Sequence, residues 1–493
     1  MTATSAHRPW SPTRRSLLTA GLSALALVTT AAGAVAAPAA PPVAPPPANG
    51  LGHLDPPFGA NGTVVTTFPD LASGASAIAV HGDGFVAAGG SLQDDSPDFL
   101  LARYRADGRL DRRFGTGGQV VTPFSAVAGA GGAEGVAVQR DRRIVAVGTA
   151  GLGTDSDIGF AFARYREDGR LDRGFGGGDG IAVLPVGPAG DSGAADVAVQ
   201  RDGRIVAVGG ANDAAGNAVF AAVRLLPDGR PDPSFGDGGT ALVLIPGGDA
   251  AASAVALQPD GRIVLAGTAI GPGLTGQQFA VVRLTDRGVP DSTFGEDGIA
   301  VAQNQPEQGK GGAEDVVVGR DGRILVAGLG QNAAGQGAFG LVRFLPDGSP
   351  DPSFGGGTGL VLTEFPEGES VAASVLLRRD GRIVAVGSAG FPSRFALAGY
   401  LPDGTLDPAF GSCGRTTTVI GEGSGATGAV LLDRGAVVAA GSTFDSTQTN
   451  GGFALARYLG DPRRPSARPR PPHRWQRAWR HRSAWASGRG VPS

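Results

Sequence analysis

The chain has 493 residues, of which 84 are Gly and 36 are Pro, close to a quarter together. Without periodicity such a composition marks a chain that does not fold, so a fixed recurrence of glycine decides the class. The single cysteine, Cys413, excludes a disulfide scaffold, a thiolate zinc site and a CxxC redox pair. The net charge of −3 divides into +3 over residues 1–36, +8 over 461–493 and −14 between them. So acidic a body excludes nucleic acid or an anionic membrane as its main partner, because both are bound through cationic contacts.

Residues 1–36 read as an export signal. They hold Arg8, Arg14 and Arg15 without an acid, an apolar run from Leu17 to Val35, and small residues at Ala34-Val35-Ala36 for cleavage before Ala37. Thr13-Arg14-Arg15-Ser16-Leu17-Leu18 resembles a twin-arginine signal; an ordinary secretory signal and an uncleaved anchor are the alternatives. No Cys follows the apolar run, so a lipoprotein is excluded, and no membrane span is expected after signal removal. Residues 37–53 form a Pro/Ala-rich linker with too little apolar surface to pack.

From residue 54 a repeat governs the chain. An Asp-x-x-Phe-Gly motif recurs seven times, with its Phe at positions 58, 114, 175, 235, 294, 354 and 410, at intervals of 56 to 61 residues. Each unit holds four short apolar runs, in the fourth Ala241 to Ile245, Ala254 to Leu257, Ile263 to Ala266 and Phe279 to Leu284. The second and third runs are joined by a tight turn with Asp-Gly at Asp83, Asp202, Asp260, Asp321 and Asp380. Asp141-Arg142 and Asp433-Arg434-Gly435 replace it in the second and seventh units, and those two turns are expected to differ in type. Four antiparallel strands per unit make one small sheet with exposed edges, and seven such sheets bury their faces by stacking in a closed ring. The fold class expected is therefore all-β, a seven-bladed β-propeller over residues 54–459, with an open array or β-solenoid as the alternative.

The pattern Phe-Ala-x-x-Arg-Tyr-x-x-Asp-Gly-x-x-Asp-x-x-Phe-Gly, followed by Val-Ala-x-Gln-x-Asp-Gly-Arg-Ile-Val-x-x-Gly, resembles the delta-60 repeat of bacterial exported proteins. That resemblance implies a propeller and an exported location, and no activity.

The regular polar residues are the motif aspartates (Asp55, Asp111, Asp172, Asp232, Asp291, Asp351, Asp407) and arginines at 103, 164, 224, 283, 343 and 457, with Gly399 in the sixth unit. A residue present in every blade serves what every blade needs, so each Asp is expected to accept backbone or Arg hydrogen bonds at a blade junction. The repeated Phe is expected to plug the core. Function belongs instead to the irregular loops after the third run: Gly151 to Gly159, Asn212 to Asn217, Gly271 to Gln278, Gln331 to Gly337 and Thr443 to Gly452.

Catalytic resources are thin. Only His53 and His81 lie between the signal and the tail, no G-x-S-x-G elbow occurs, and Asp155-Ser156-Asp157 is too short for a calcium loop. Lys310-Gly311-Gly312 lacks the helix of a phosphate loop, and the acid pairs Glu314 and Asp315, and Glu367 and Glu369, read as solvated loop residues. No catalytic, cofactor or metal residue is assigned. Residues 460–493 form an Arg/Pro/Trp-rich tail, expected to be disordered, whose deletion should weaken retention on an anionic resin. The expectation is a monomeric, exported, non-catalytic module presenting loops to an extracellular or cell-envelope glycan or protein. The alternatives are a propeller hydrolase or lyase acting on envelope polysaccharide, and a purely structural envelope component.

Overall fold

A computed structural model describes residues 50–69, 71–91, 98–124, 132–152, 158–188, 191–270, 276–302, 311–445 and 451–461. The export segment, most of the linker and the Arg-rich tail lie outside the described residues. So do Lys310, Asp155-Ser156-Asp157 and parts of three of the five irregular loops.

The described residues form seven four-stranded antiparallel sheets. They are blades 1 to 7 of a β-propeller, and the strands of each are called inner, second, third and outer. Blade 1 comprises Ser73–His81, Gly84–Ser91, Phe99–Tyr104 and Gln119–Thr122. Blades 2 to 6 begin with inner strands Ala133–Val138, Ser192–Val199, Ala250–Leu257, Gly312–Val318 and Ser370–Leu377. Each inner strand lies against the next, and the seventh, Gly423–Leu431, lies against that of blade 1. The circle is closed, which excludes the open array.

The four runs of one sequence unit do not make one sheet, contrary to the expectation from the repeat. The first run of each unit is the outer strand of the preceding blade: Thr240–Val243 pairs with Ala218–Leu225 of blade 3, while blade 4 starts at Ala250. The offset closes the ring. Blade 7 holds Gly423–Leu431, Val437–Phe444 and Gly451–Tyr458 from the C-terminal end, and its outer strand is Thr63–Thr66 from the N-terminal end. In this phase the last blade takes its outer strand from the N-terminal end, so ladder hydrogen bonds tie the two ends of the array together.

The hydrophobic core is likewise divided between blades. Seven clusters of buried side chains each draw on two neighbouring blades, and one joins Phe58, Val438 and Leu455 of blade 7 to Phe85, Leu100 and Tyr104 of blade 1. The motif phenylalanines are 0 to 3 % exposed, as expected of a plug.

Every inner strand carries a β-bulge near its start, opposite a glycine of the second strand. At Gly267 a Cβ would come within 2.0 Å of the Ala251 carbonyl oxygen, so only glycine permits this approach. The glycine of Ile-Val-x-x-Gly is thereby explained. The extra residue at the bulge is Ser76, Glu134, Ala195, Ser253, Glu314, Ala373 or Thr427, and this is where the repeat varies.

Candidate functional site

The antiparallel strands sort the connections onto two faces. One face carries the inner-to-second turns and the third-to-outer connections that contain Asp-x-x-Phe-Gly. There the motif Asp, the third-strand Arg and the motif Phe form a staple. Arg224 Nε donates to Asp232 Oδ2 at 2.8 Å, its guanidinium stacks 4.6 Å from the Phe235 ring centre, and its NH1 donates to the Asp286 carbonyl in the next blade. The motif glycine adds a second link, Gly236 N–H to the Arg287 carbonyl at 2.7 Å. A turn arginine, Arg204, reaches the same Asp232 Oδ2 at 3.0 Å while also holding Asp202.

Equivalent staples stand at Arg103–Asp111, Arg164–Asp172, Arg283–Asp291, Arg343–Asp351 and Arg457–Asp55. In blade 6 the place of the arginine is taken by Gly399, where a Cβ would lie 2.4 Å from Phe410, and Asp407 keeps only Arg382, at 3.3 Å. The hydroxyls of Ser234, Ser353 and Thr293, the bonded N–H groups and the arginines hold Asp232 and Asp351 below the usual carboxylate range and Asp291 down at about 2, despite burial that acts the other way. The ring of aspartates is thus a ring of blade junctions, as expected. Its acids are neutralised where they stand.

The turns of this face correct two expectations. Asp141-Arg142 does not change the turn: Arg142 adopts φ +66°, in the place of Gly203 at +90°, and the bonds Gln139 N–H to Arg143 O and Arg142 N–H to Gln139 O match those at Gln200. The turn that differs, besides the seventh, is the first. Asp83 belongs to a two-residue hairpin, because Gly84 already opens the second strand opposite His81.

The opposite face gathers the second-to-third loops and the outer-to-inner connections. Hydrogen bonds tie the two kinds together: Asp249 Oδ1 accepts from Ala218 N–H at 3.1 Å, Asn332 Nδ2 donates to Glu364 Oε1 at 2.7 Å, and Ser424 N–H donates to the Ser393 carbonyl at 2.9 Å. The irregular loops therefore do share one face. Their charge is one-sided: among the described residues these connections hold nine acids, including Asp191, Asp213, Asp249, Glu364, Glu369 and Glu422, and no Arg or Lys. Glu367, half-buried, accepts from Thr417 at 2.7 Å, and Glu369 is exposed.

The inner strands start at this face, so the bulges lie near the channel mouth that opens onto it. Among the described residues four carboxylates occur there: Glu134, Asp196, Glu314 and Asp315. Glu314 and Asp315 were expected on a loop, but they sit within the inner strand of blade 5, Glu314 being the bulge residue. Asp315 Oδ2 accepts from Val375 N–H at 2.7 Å and Ser374 Oγ at 2.9 Å, bridging blade 5 to blade 6. Asp196 Oδ2 accepts from Val255 N–H at 2.9 Å and bridges blade 3 to blade 4 in the same way. Burial pushes Glu134 and Asp196 up to about 7, Asp315 to about 6 and Glu314 to about 8, the last helped by neighbouring Asp315. Glu134 and Asp196 were missed by sequence reasoning. The available signal was an acid among the small residues that open a unit's second run, as in Gly132-Ala133-Glu134 and Ala194-Ala195-Asp196.

His81 Nε2 lies 3.0 Å from the Arg142 carbonyl oxygen, in the staple face and away from the channel mouth acids. His53 belongs to the N-terminal turn, where its carbonyl accepts from Leu459 N–H. Among the described residues no group of three or more His, Cys, Asp or Glu is arranged to hold a metal ion, and no helix is long and apolar enough to cross a membrane.

Fold and site define a β-propeller whose junction machinery occupies one face and whose variable, acidic connections occupy the other. Five segments, residues 82–114, 200–235, 258–294, 319–354 and 378–410, match the model of the family described as "Domain of unknown function (DUF5122) beta-propeller". Each runs from an inner-to-second turn to a motif Phe, so the match recurs with the repeat. No curated protein matches the chain. Among solved structures the chain is similar to the polysaccharide lyase Uly1, 10 % identical over 78 % of this chain and 90 % of that one, with a TM-score of 0.44. It is similar to Sqt1 of Chaetomium thermophilum bound to the N-terminus of ribosomal protein L10, at 11 % identity over 80 % and 98 % and a TM-score of 0.38. It is also similar to the α-L-arabinofuranosidase arb93a of Fusarium graminearum, at 9 % identity over 66 % and 92 % and a TM-score of 0.42. At these scores the neighbours' ligands carry no argument for this chain.

Proposed function

We propose that this protein is an exported, non-catalytic binding module that meets an extracellular or cell-envelope partner, a protein or glycan, with its loop-bearing face. The observation that carries the reading is the segregation of the connections. Every staple is spent on holding blades together at one face, while residues that differ from blade to blade cluster at the other. Among the described residues the connections of that face hold nine acids and no Arg or Lys, a one-sided charge that attracts a cationic partner. The favoured partner therefore presents basic groups, as a basic protein or an amino sugar polymer does. The export signal read in residues 1–36 supports the location.

Glycan and peptide arrays probed with the full chain test the reading. Binding to cationic members that weakens with salt and with Glu364→Gln plus Glu369→Gln is expected. Selective binding to anionic glycans, or binding untouched by those substitutions, would contradict it.

The four channel carboxylates favour a second reading, a hydrolase or lyase acting on polysaccharide. Acids held near neutrality at a channel mouth are candidates for proton transfer. Asp196 and Asp315 each already bridge two blades, which is a structural use. Product analysis with any glycan that binds separates the two, since turnover would belong to the enzyme alone.

A further inference from the structure

In blades 2 to 6 a turn arginine bridges two carboxylates, the turn Asp and the motif Asp: Arg143 with Asp141 and Asp172, Arg204 with Asp202 and Asp232, and so on through Arg382 with Asp380 and Asp407. Blade 1 lacks this arginine. Its turn is one residue shorter, and Gly84 stands immediately before the second-strand Phe85 where Arg204 stands before Ile205. Both carboxylates remain, Asp83 in the turn and Asp111 in the motif. Between them is a hollow of about 410 Å³ that both line.

Two further observations mark a missing group. The Asp111 side chain is 21 % exposed, against 1 to 6 % for the motif aspartates of blades 2 to 6. Arg103, buried beside it, reaches Asp111 through NH2 and leaves its buried Nε without a partner, whereas Arg164, Arg224, Arg283 and Arg343 all bond the carboxylate through Nε. Asp111 is met by one arginine through NH2, where the sister aspartates of blades 3 to 5 are met by a third-strand arginine through Nε and by a turn arginine.

Arg103, Arg105, Arg113 and Arg142 line the hollow, and among the ion pairs of the described residues none of them bridges Asp83 and Asp111: Arg103 is the staple arginine itself, and Arg113 meets Asp111 through its backbone N–H at 3.2 Å. Arg142 is held by Glu167 at 2.8 Å. Arg105 corresponds to Arg166, which stands 3.6 Å from Asp172 in addition to Arg143 and so is not the missing group. Blade 7 also lacks the turn arginine, with Ala436 in its place, and shows the same two marks, Asp55 being 17 % exposed and Arg457 Nε without a partner; there Gly460 packs against Arg434 and Ala436.

We propose that the hollow between blades 1 and 2 is a receptor for the guanidinium of an arginine side chain, held by Asp83 and Asp111 as the turn arginines are held in the sister blades. A planar fork bridging two carboxylates is a geometry that a lysine ammonium does not reproduce. The arginine has two sources: another polypeptide, or this chain's residues 462–493, which contain nine arginines and follow Asp461, whose N–H donates to the Arg434 carbonyl in the blade 7 turn at 2.9 Å.

The test uses the full chain, N-acetyl-arginine amide as probe, and N-acetyl-lysine amide and inorganic phosphate as comparators. Calorimetry should show the arginine compound bound in preference to both. Asp83→Asn should weaken it about tenfold, the loss of one charge-assisted bond, while Asp202→Asn, where Arg204 already fills the site, should not. If the chain's own segment is the source, an arginine between 463 and 489 is protected from trypsin, and Asp83→Asn or excess arginine amide removes the protection. With probe binding but uniform cleavage, the source is another polypeptide. Neither probe binding nor protection, preference for lysine or phosphate, or an equal effect of Asp202→Asn would overturn the proposal.

Discussion

Arg457, on the last strand of the chain, donates to Asp55 Oδ2 at 2.6 Å, and Asp55 precedes the first strand. The pair is the seventh-blade copy of the staple, and it locks the two ends of the array together. Its side chains are 19 % and 17 % exposed, against 4 % and 3 % for Arg224 and Asp232. The closing junction is thus the wetter one.

That contrast sets an order of effects. Asp232→Ala leaves Arg224 buried without its partner and should cost about 3 to 5 kcal/mol. Asp55→Asn should cost about 2 kcal/mol, closer to the loss of one charged hydrogen bond. Denaturant unfolding of the two variants measures both, and neither should abolish binding at the loop face.

Buried tyrosines make a second kind of junction. Tyr165 Oη donates to Thr122 Oγ1 of blade 1 at 2.7 Å, and Tyr104, Tyr400 and Tyr458 do the same to Thr66, Thr363 and Thr418. Where the third strand ends in Leu225, Leu284 or Phe344, the preceding outer strand ends in Leu184, Val243 or Ala302. Polar meets polar and apolar meets apolar. Tyr165→Phe should therefore cost about 1 kcal/mol or more by stranding Thr122, and adding Thr122→Val should recover much of it. A double-mutant cycle in urea reads the coupling.

The two sets of carboxylates pull pH dependence in opposite directions. Glu134, Asp196, Glu314 and Asp315 are raised in the fold, so their penalty is absent below about pH 4 and grows as pH rises through about 6 to 8. The staple aspartates are lowered, Asp291 to about 2, so their contribution is present above about pH 4 and is lost as pH falls toward 2. Thermal unfolding should show greatest stability near pH 4 to 5 and a decline toward pH 8. Glu314→Gln should flatten the decline.

Much of this was legible in the sequence. The seven-fold motif, the Asp–Arg junctions and the Phe plugs follow from what every blade must repeat. The phase of the repeat was not legible, because Thr240–Val243 has the same apolar pattern whether it pairs with the strand before it or the strands after it. The channel acids escaped for a related reason: Glu314 and Asp315 are adjacent, and adjacency in a regular strand puts side chains on opposite faces. A bulge removes that alternation, and it is visible only in the register.

Closure by the N-terminal strand is the claim on which the shared loop face depends, and hydrogen exchange of the native full chain tests it most directly. The amides of Thr63–Thr66 should be protected as strongly as those of the sister outer strand Thr240–Val243, because the two pair in the same way with Phe453–Ala456 and Phe220–Val223. Exchange of Thr63–Thr66 at the rate of an unpaired segment, with Thr240–Val243 still protected, would contradict the closed ring.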